Sequence, residues 1–211
     1  MTVLPAAVAT EAQLEFDRQV DALALTGLPE HRDLAEGCFR AWLEPLRDRL
    51  PPPGSMEEDR LPFVVVVPDL PMVDVLSAVH TVGGPGFTTM ADDDLAHFRP
   101  LPELDVPGAP YLMVDVDTGA DTLNLPPADA LPRIEGAGRS PLTLAEGLSV
   151  LVSHPGVLRA RNCFSLLGSR AGDKRVLALW VSRRRPRLGW SYQGAPRSWL
   201  GSASCGARLT A

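Results

Sequence analysis

The run Phe63-Val64-Val65-Val66-Val67 constrains this chain more than any other stretch. Four consecutive β-branched residues are stiff in a helix and pack well on a pleated surface. The run is read as a buried strand. A second strand is expected at "PYLMVDVDTG" (110–119), and others at "NCFSLLG" (162–168), "RVLALWVS" (175–182) and "LGWSY" (188–192). Glycine-rich turns such as "SRAGDKR" (169–175) join the later ones.

Helical signals are interleaved with these strands. Thr10 and Gln13 have capping-box spacing, and Phe16, Val20, Leu23 and Ala24 follow on one helical face. "TGLPEH" (26–31) breaks that helix. A second is expected from Glu30, with Leu34, Cys38, Ala41 and Trp42 on one face and Pro45 ending or kinking it. "LPPPGSMEEDR" (50–60) has linker composition. "LPMVDVLSAV" (70–79) reads as a short helix or extended turn, "VGGPGF" (82–87) as a turn and "ADDDLAHF" (91–98) as a short acidic helix. Pro141 is expected to open a helix on which Leu142, Ala145, Leu148 and Val152 keep helical spacing until Pro155. Without strict βαβ alternation, the fold class is α+β. A mixed sheet with helices (61–211) follows an N-terminal helical hairpin or arm (1–50).

Composition narrows the setting. No apolar run approaches the roughly 20 residues that cross a bilayer, so no membrane is expected. No positive charge precedes the first apolar residues, which argues against a secretory leader. Cys38, Cys163 and Cys205 are odd in number and far apart, against a disulfide framework or a zinc cluster. A cytoplasmic setting is expected, with no cofactor and no metal site. Lys174 is the only lysine, and the wealth of Ala, Gly, Pro and Arg suits a high-GC bacterial genome.

Charge is unevenly placed. Residues 1–155 hold 25 acids against 9 arginines, a balance of −16, whereas residues 156–211 hold Asp173 against 10 arginines and Lys174, a balance of +10. Two explanations stand: the basic tail packs beside acidic helices, or it forms a cationic surface for an anionic partner. Three of the four tryptophans, Trp180, Trp190 and Trp199, lie in this segment. Arginine beside aromatic rings suits stacking and charge pairing with phosphate or carboxylate. Trp190, Tyr192, Arg197, Trp199 and Arg187 are therefore the candidate ligand-binding residues.

Reactive groups are sparse. Asp115 and Asp117 end an apolar strand as Asp-x-Asp, the placement used in phosphotransfer by enzymes of the haloacid-dehalogenase type, but no later acidic pair completes that pattern. A calcium loop fails as well, with Ala120 and Pro126 at its sixth and twelfth positions. Cys205 sits in a glycine- and serine-rich segment where nearby arginines could favour a thiolate. Asp93 and His97 have i, i+4 spacing but no further ligand.

The segments "YLMVDVDTGADTLNLPP", "GRSPLTLAEGLSVLVSHPGVL", "NCFSLLGSR", "GDKRVLALWVS" and "LGW…WLGSASC" support a resemblance. From about Phe63 to Gly206 the chain resembles an uncharacterised actinobacterial family of domain-of-unknown-function proteins. The resemblance implies one fold over that stretch and a variable addition at residues 1–50. It implies no activity or cofactor.

Two functions are carried forward. The first is a cytoplasmic binding or accessory protein whose basic, aromatic C-terminal cleft takes an anionic small molecule or an acidic protein surface. The second is an enzyme acting on an anionic small molecule, possibly in secondary metabolism, through Cys205 or the Asp115/Asp117 pair. The acidic net charge and the lack of a reader motif argue against nucleic acid.

Overall fold

The computed structural model describes residues 10–52 and 59–211. Helix α1 (Glu11–Ala24) opens with the capping box of Thr10 and Gln13. Helices α2 (Leu28–His31) and α3 (Glu36–Leu43) follow, and a 3₁₀ turn (Glu44–Arg49) takes over where Pro45 forbids continuation. The face that α3 and this turn bury is Phe39, Leu43 and Leu46. Cys38 and Ala41, expected on the inner face, point to water. The apolar spacing i, i+4, i+7 from Phe39 wins because the chain breaks and restarts at Asp33, which has φ +53°.

Next come strand β1 (Arg60–Val66), helix α4 (Met72–Ala78), the small hairpin β2 (His80–Thr81) and β3 (Gly84–Pro85), strand β4 (Phe87–Thr88) and helix α5 (Asp92–Ala96). Then follow β5 (Arg99–Pro100), β6 (Tyr111–Asp117), helix α6 (Pro127–Gly136), β7 (Ser140–Pro141) and helix α7 (Leu144–Ser153). The chain ends in strands β8 (Cys163–Leu166), β9 (Ser169–Arg170), β10 (Arg175–Ser182), β11 (Arg185–Tyr192), β12 (Leu200–Ser202), β13 (Ser204–Cys205) and β14 (Ala207–Thr210). Pro141 lies in a strand; α7 is opened by the Thr143 cap with Glu146 at its third position.

The elements form an α+β fold with two five-stranded sheets among the described residues. In the first, β6 is central: β1 pairs along one side, and β13 and β14 along the other. The second has the order β12-β8-β10-β11-β4, with parallel pairs at both ends and antiparallel pairs between, so it is mixed. Helix α7 is buried along nearly its whole length. It packs on α1, α4 and β1, and its Gly147 approaches Leu166 of β8 so closely that a methyl there would overlap that leucine. Phe16, Val20, Leu23, Phe39 and Leu43 of the N-terminal helices share one buried cluster with Val64, Leu112, Leu148 and Phe164.

Two polar contacts tie the chain ends into this core. The Glu146 carboxylate is fully buried, and Arg208 of β14 donates to it through Nε at 2.6 Å and Nη2 at 3.0 Å. Tyr111 Oη and the Thr143 N–H also donate to it. On the outer edge of β1, the buried Gln19 amide accepts from Val65 N at 2.8 Å and donates to Phe63 O at 3.1 Å.

Candidate anion site on the basic sheet face

Cross-strand partners share a face of a sheet. Leu177 pairs with Trp190 and Arg175 with Tyr192, whereas Trp180 pairs with Arg187 and Ala178 with Gly189. The candidate residues therefore divide. Trp190 and Tyr192 sit together, with ring centroids 5.2 Å apart and edge-to-face. Both are exposed, and Arg175 lies 5.8 Å over Trp190. Arg187 is on the opposite face, as is Trp180. The single cleft expected from all five residues is thus two surfaces, because alternation along β11 sends neighbours to opposite sides.

The second face carries a ladder of rings and guanidinium groups. Arg185 lies 4.6 Å and Arg187 5.7 Å from the Phe87 ring of β4. Arg187 lies 5.2 Å from Trp180; Trp180 and Trp199 are 6.4 Å apart; Arg197 lies 5.8 Å from Trp199. Gly189 makes the ladder possible, because any side chain there would overlap the Trp180 ring.

At the β4 end of the ladder is a pocket of about 360 Å³, lined by Phe87, Thr89, Ser182, Arg183, Arg185 and Arg187. Arg187 Nη2 donates to Thr89 Oγ1 at 3.0 Å, and its buried Nε–H has no partner among the described residues. Arg185 Nε donates to Pro85 O at 2.7 Å. The Arg183 side chain makes no polar contact among the described residues, and no carboxylate lines the pocket. Phe87 and Thr89 could not be assigned to this site from sequence, because they reach it only through the parallel pairing of β4 with β11.

The pocket is built around a conformation that arginine rarely adopts. Arg183 and Arg184 form the two-residue turn between β10 and β11, with φ +52° and +62°. Such turns favour Asn and Gly, and other residues are strained there. The hairpin of β2 and β3 holds this turn. Thr81 Oγ1 donates to Arg184 O at 2.7 Å, and a methyl at Gly83 would lie 2.5 Å from the same oxygen.

Internal neutralisation accounts for part of the basic segment: Arg159 pairs with Asp59, Arg175 with Asp94 and Asp173, and Arg208 with Glu146. Arg183, Arg185, Arg187 and Arg197 have no such carboxylate among the described residues. A larger cleft of about 550 Å³ lies among the N-terminal helices, but there Arg40 already pairs with Asp21 and Glu36.

The expected reactive groups are buried or paired. Cys205 is fully buried, and burial pushes its thiol up to about 11, against the smaller opposite pull of Arg208 and Arg139. That is the reverse of the thiolate the nearby arginines suggested. Asp115 pairs with Arg139 and Arg60, and Asp117 pairs with Arg60 while accepting from Gly119 N at 2.7 Å, as in an Asx turn. His97 Nδ1 faces the Asp93 backbone oxygen, not its carboxylate. No cluster of three or more His, Cys, Asp or Glu that could hold a metal ion occurs among the described residues. No helix among them is long and apolar enough to cross a membrane.

Fold and site together define an α+β protein with an arginine-rich pocket on a mixed sheet. Residues 22–211 match the family of unknown function DUF5701, and the chain belongs to that family. The match takes in α2, α3 and the end of α1, which were expected to be a variable addition. No curated protein and no solved structure matches the chain.

Proposed function

We propose that the protein is a cytoplasmic binding or accessory protein that takes an anionic ligand in the pocket between β4 and the β10–β11 turn. One observation carries this reading: three arginines line the pocket and, among the described residues, no carboxylate joins them. Like charges gathered without a counter-ion repel, and a bound anion relieves that repulsion. The Trp180 ring beside Arg187 supplies a reporter.

Titration with a series of multivalent anions (sulfate, citrate and pyrophosphate) should change the tryptophan fluorescence. The change should weaken as ionic strength rises past about 0.1 M, where the Debye length is about 10 Å. Arg183→Ala should weaken binding and move stability by less than about 0.5 kcal/mol, since the side chain is exposed and unbonded. Fluorescence indifferent to all three anions would overturn the proposal.

A further inference from the structure

Resting on that reading, we infer that the pocket is built for a ligand carrying two phosphoryl groups, as in a diphosphate.

Charge favours two phosphoryl groups over one. Arg183, Arg185 and Arg187 place three permanent positive charges around one pocket. A single phosphoryl group brings about −1.5 to −2 at neutral pH and leaves the pocket net positive, whereas two bring about −3 to −4.

The donors of the pocket favour an oxyanion. The pocket offers guanidinium N–H groups, among them the unpartnered Arg187 Nε–H, and the hydroxyls of Ser182 and Thr89. Among the described residues it offers no carboxylate acceptor. A ligand that fits is rich in acceptors and poor in donors, which describes a phosphoryl oxyanion.

Geometry points the same way. Arg185 and Arg187 both lie against the Phe87 ring and so sit in one part of the pocket wall. A tetrahedral group with three terminal oxygens can bridge two guanidinium forks there. A planar carboxylate can also pair with two arginines, as Asp115 does, but its acceptor sites all lie in one plane. Arg183 stands on the turn and is left for a second phosphoryl group. A volume of about 360 Å³ lies at the small end of ligand pockets, roughly 300–1,000 Å³. The turn, clamped by Thr81 and Gly83, fixes the backbone from which Arg183 and Arg185 project before the ligand arrives.

The experiment is calorimetric titration of the full chain with inorganic phosphate, pyrophosphate, citrate and ADP at one ionic strength. Pyrophosphate should bind at least about tenfold tighter than phosphate and than citrate, because a second charge-assisted contact is made. ADP separates two sources of the same chemistry: affinity near that of pyrophosphate assigns the diphosphate to a nucleotide, and much weaker affinity assigns it to a free diphosphate. Arg187→Lys keeps the charge and removes the fork, so it should weaken pyrophosphate about tenfold and citrate less. Arg183→Gln, at an exposed position, should bring pyrophosphate affinity down toward that of phosphate while the circular dichroism spectrum stays unchanged. Equal affinities for phosphate, pyrophosphate and citrate would overturn this inference and leave general anion binding standing. Failure of all four to bind would overturn both.

Discussion

Replacing Arg208 by methionine should be among the costliest single changes in this chain. Glu146 is fully buried and Arg208 is 7% exposed, and together they make a bidentate pair. Methionine fills similar volume but leaves the carboxylate without its counter-charge. Removing one partner of a buried pair costs about 3–5 kcal/mol. For a chain of this size each kcal/mol shifts the melting temperature by about 2–4 °C, so a fall of roughly 10 °C is expected. The double variant Glu146→Gln with Arg208→Met should recover most of this. Glutamine still serves the third position of the Thr143 capping box, and no buried charge remains. Urea unfolding of the wild type, both single variants and the double variant closes the cycle, with a coupling of about 2–3 kcal/mol. A cost below about 1 kcal/mol for Arg208→Met, or a double variant that equals the sum of the singles, would refute the reasoning.

Burial holds the His154 pKa down at about 4, overcoming the attraction of Glu15. The unfolded chain takes up a proton near pH 6.5 while the folded one resists, so stability should fall from about pH 6.5 to about pH 4, by up to about 3 kcal/mol. The lowered Glu15 pKa adds a loss of the same sign, and His154→Gln should flatten the upper part of a urea-midpoint profile against pH. Iodoacetamide should label Cys38 in the folded protein and spare Cys163 and Cys205, which are buried with raised thiol pKa values; mass spectrometry of the labelled chain reads this directly. Gly83→Ala should displace the Arg183–Arg184 turn and weaken anion binding more than Arg183→Ala does, because its methyl meets backbone rather than a flexible side chain.

Legibility in the sequence followed the locality of each signal. The β-branched run at Phe63, the capping box at Thr10 and the strands at Tyr111, Arg175 and Leu188 are written in neighbouring residues, and the structure has them. Helix α6 was not foreseen: it carries prolines at 127 and 132, of which the first needs no N–H at a helix start and the second is tolerated inside the helix. The inner face of α3 was misassigned because the break at Asp33 resets the helical phase. The arginines of the site were visible as a charge run. Their division between two faces, and the arrival of Phe87 and Thr89 through a parallel strand pair, depend on long-range register that composition does not encode. The isolation of Cys205 from water is likewise a property of the packed core.

The amide of Gln19 serves as a one-residue strand, and this matters for how the protein is handled. The segment shared with the family starts at residue 22, three residues beyond it. A chain trimmed to that boundary would lose Phe16 and Val20 from the core and leave the outer backbone groups of Phe63 and Val65 open on an apolar edge. An open edge of that composition invites pairing with another copy. The limits of the family match and the limits of a unit with a closed sheet edge therefore fall at different residues in this chain, and expression from residue 10 or earlier is what keeps the edge closed.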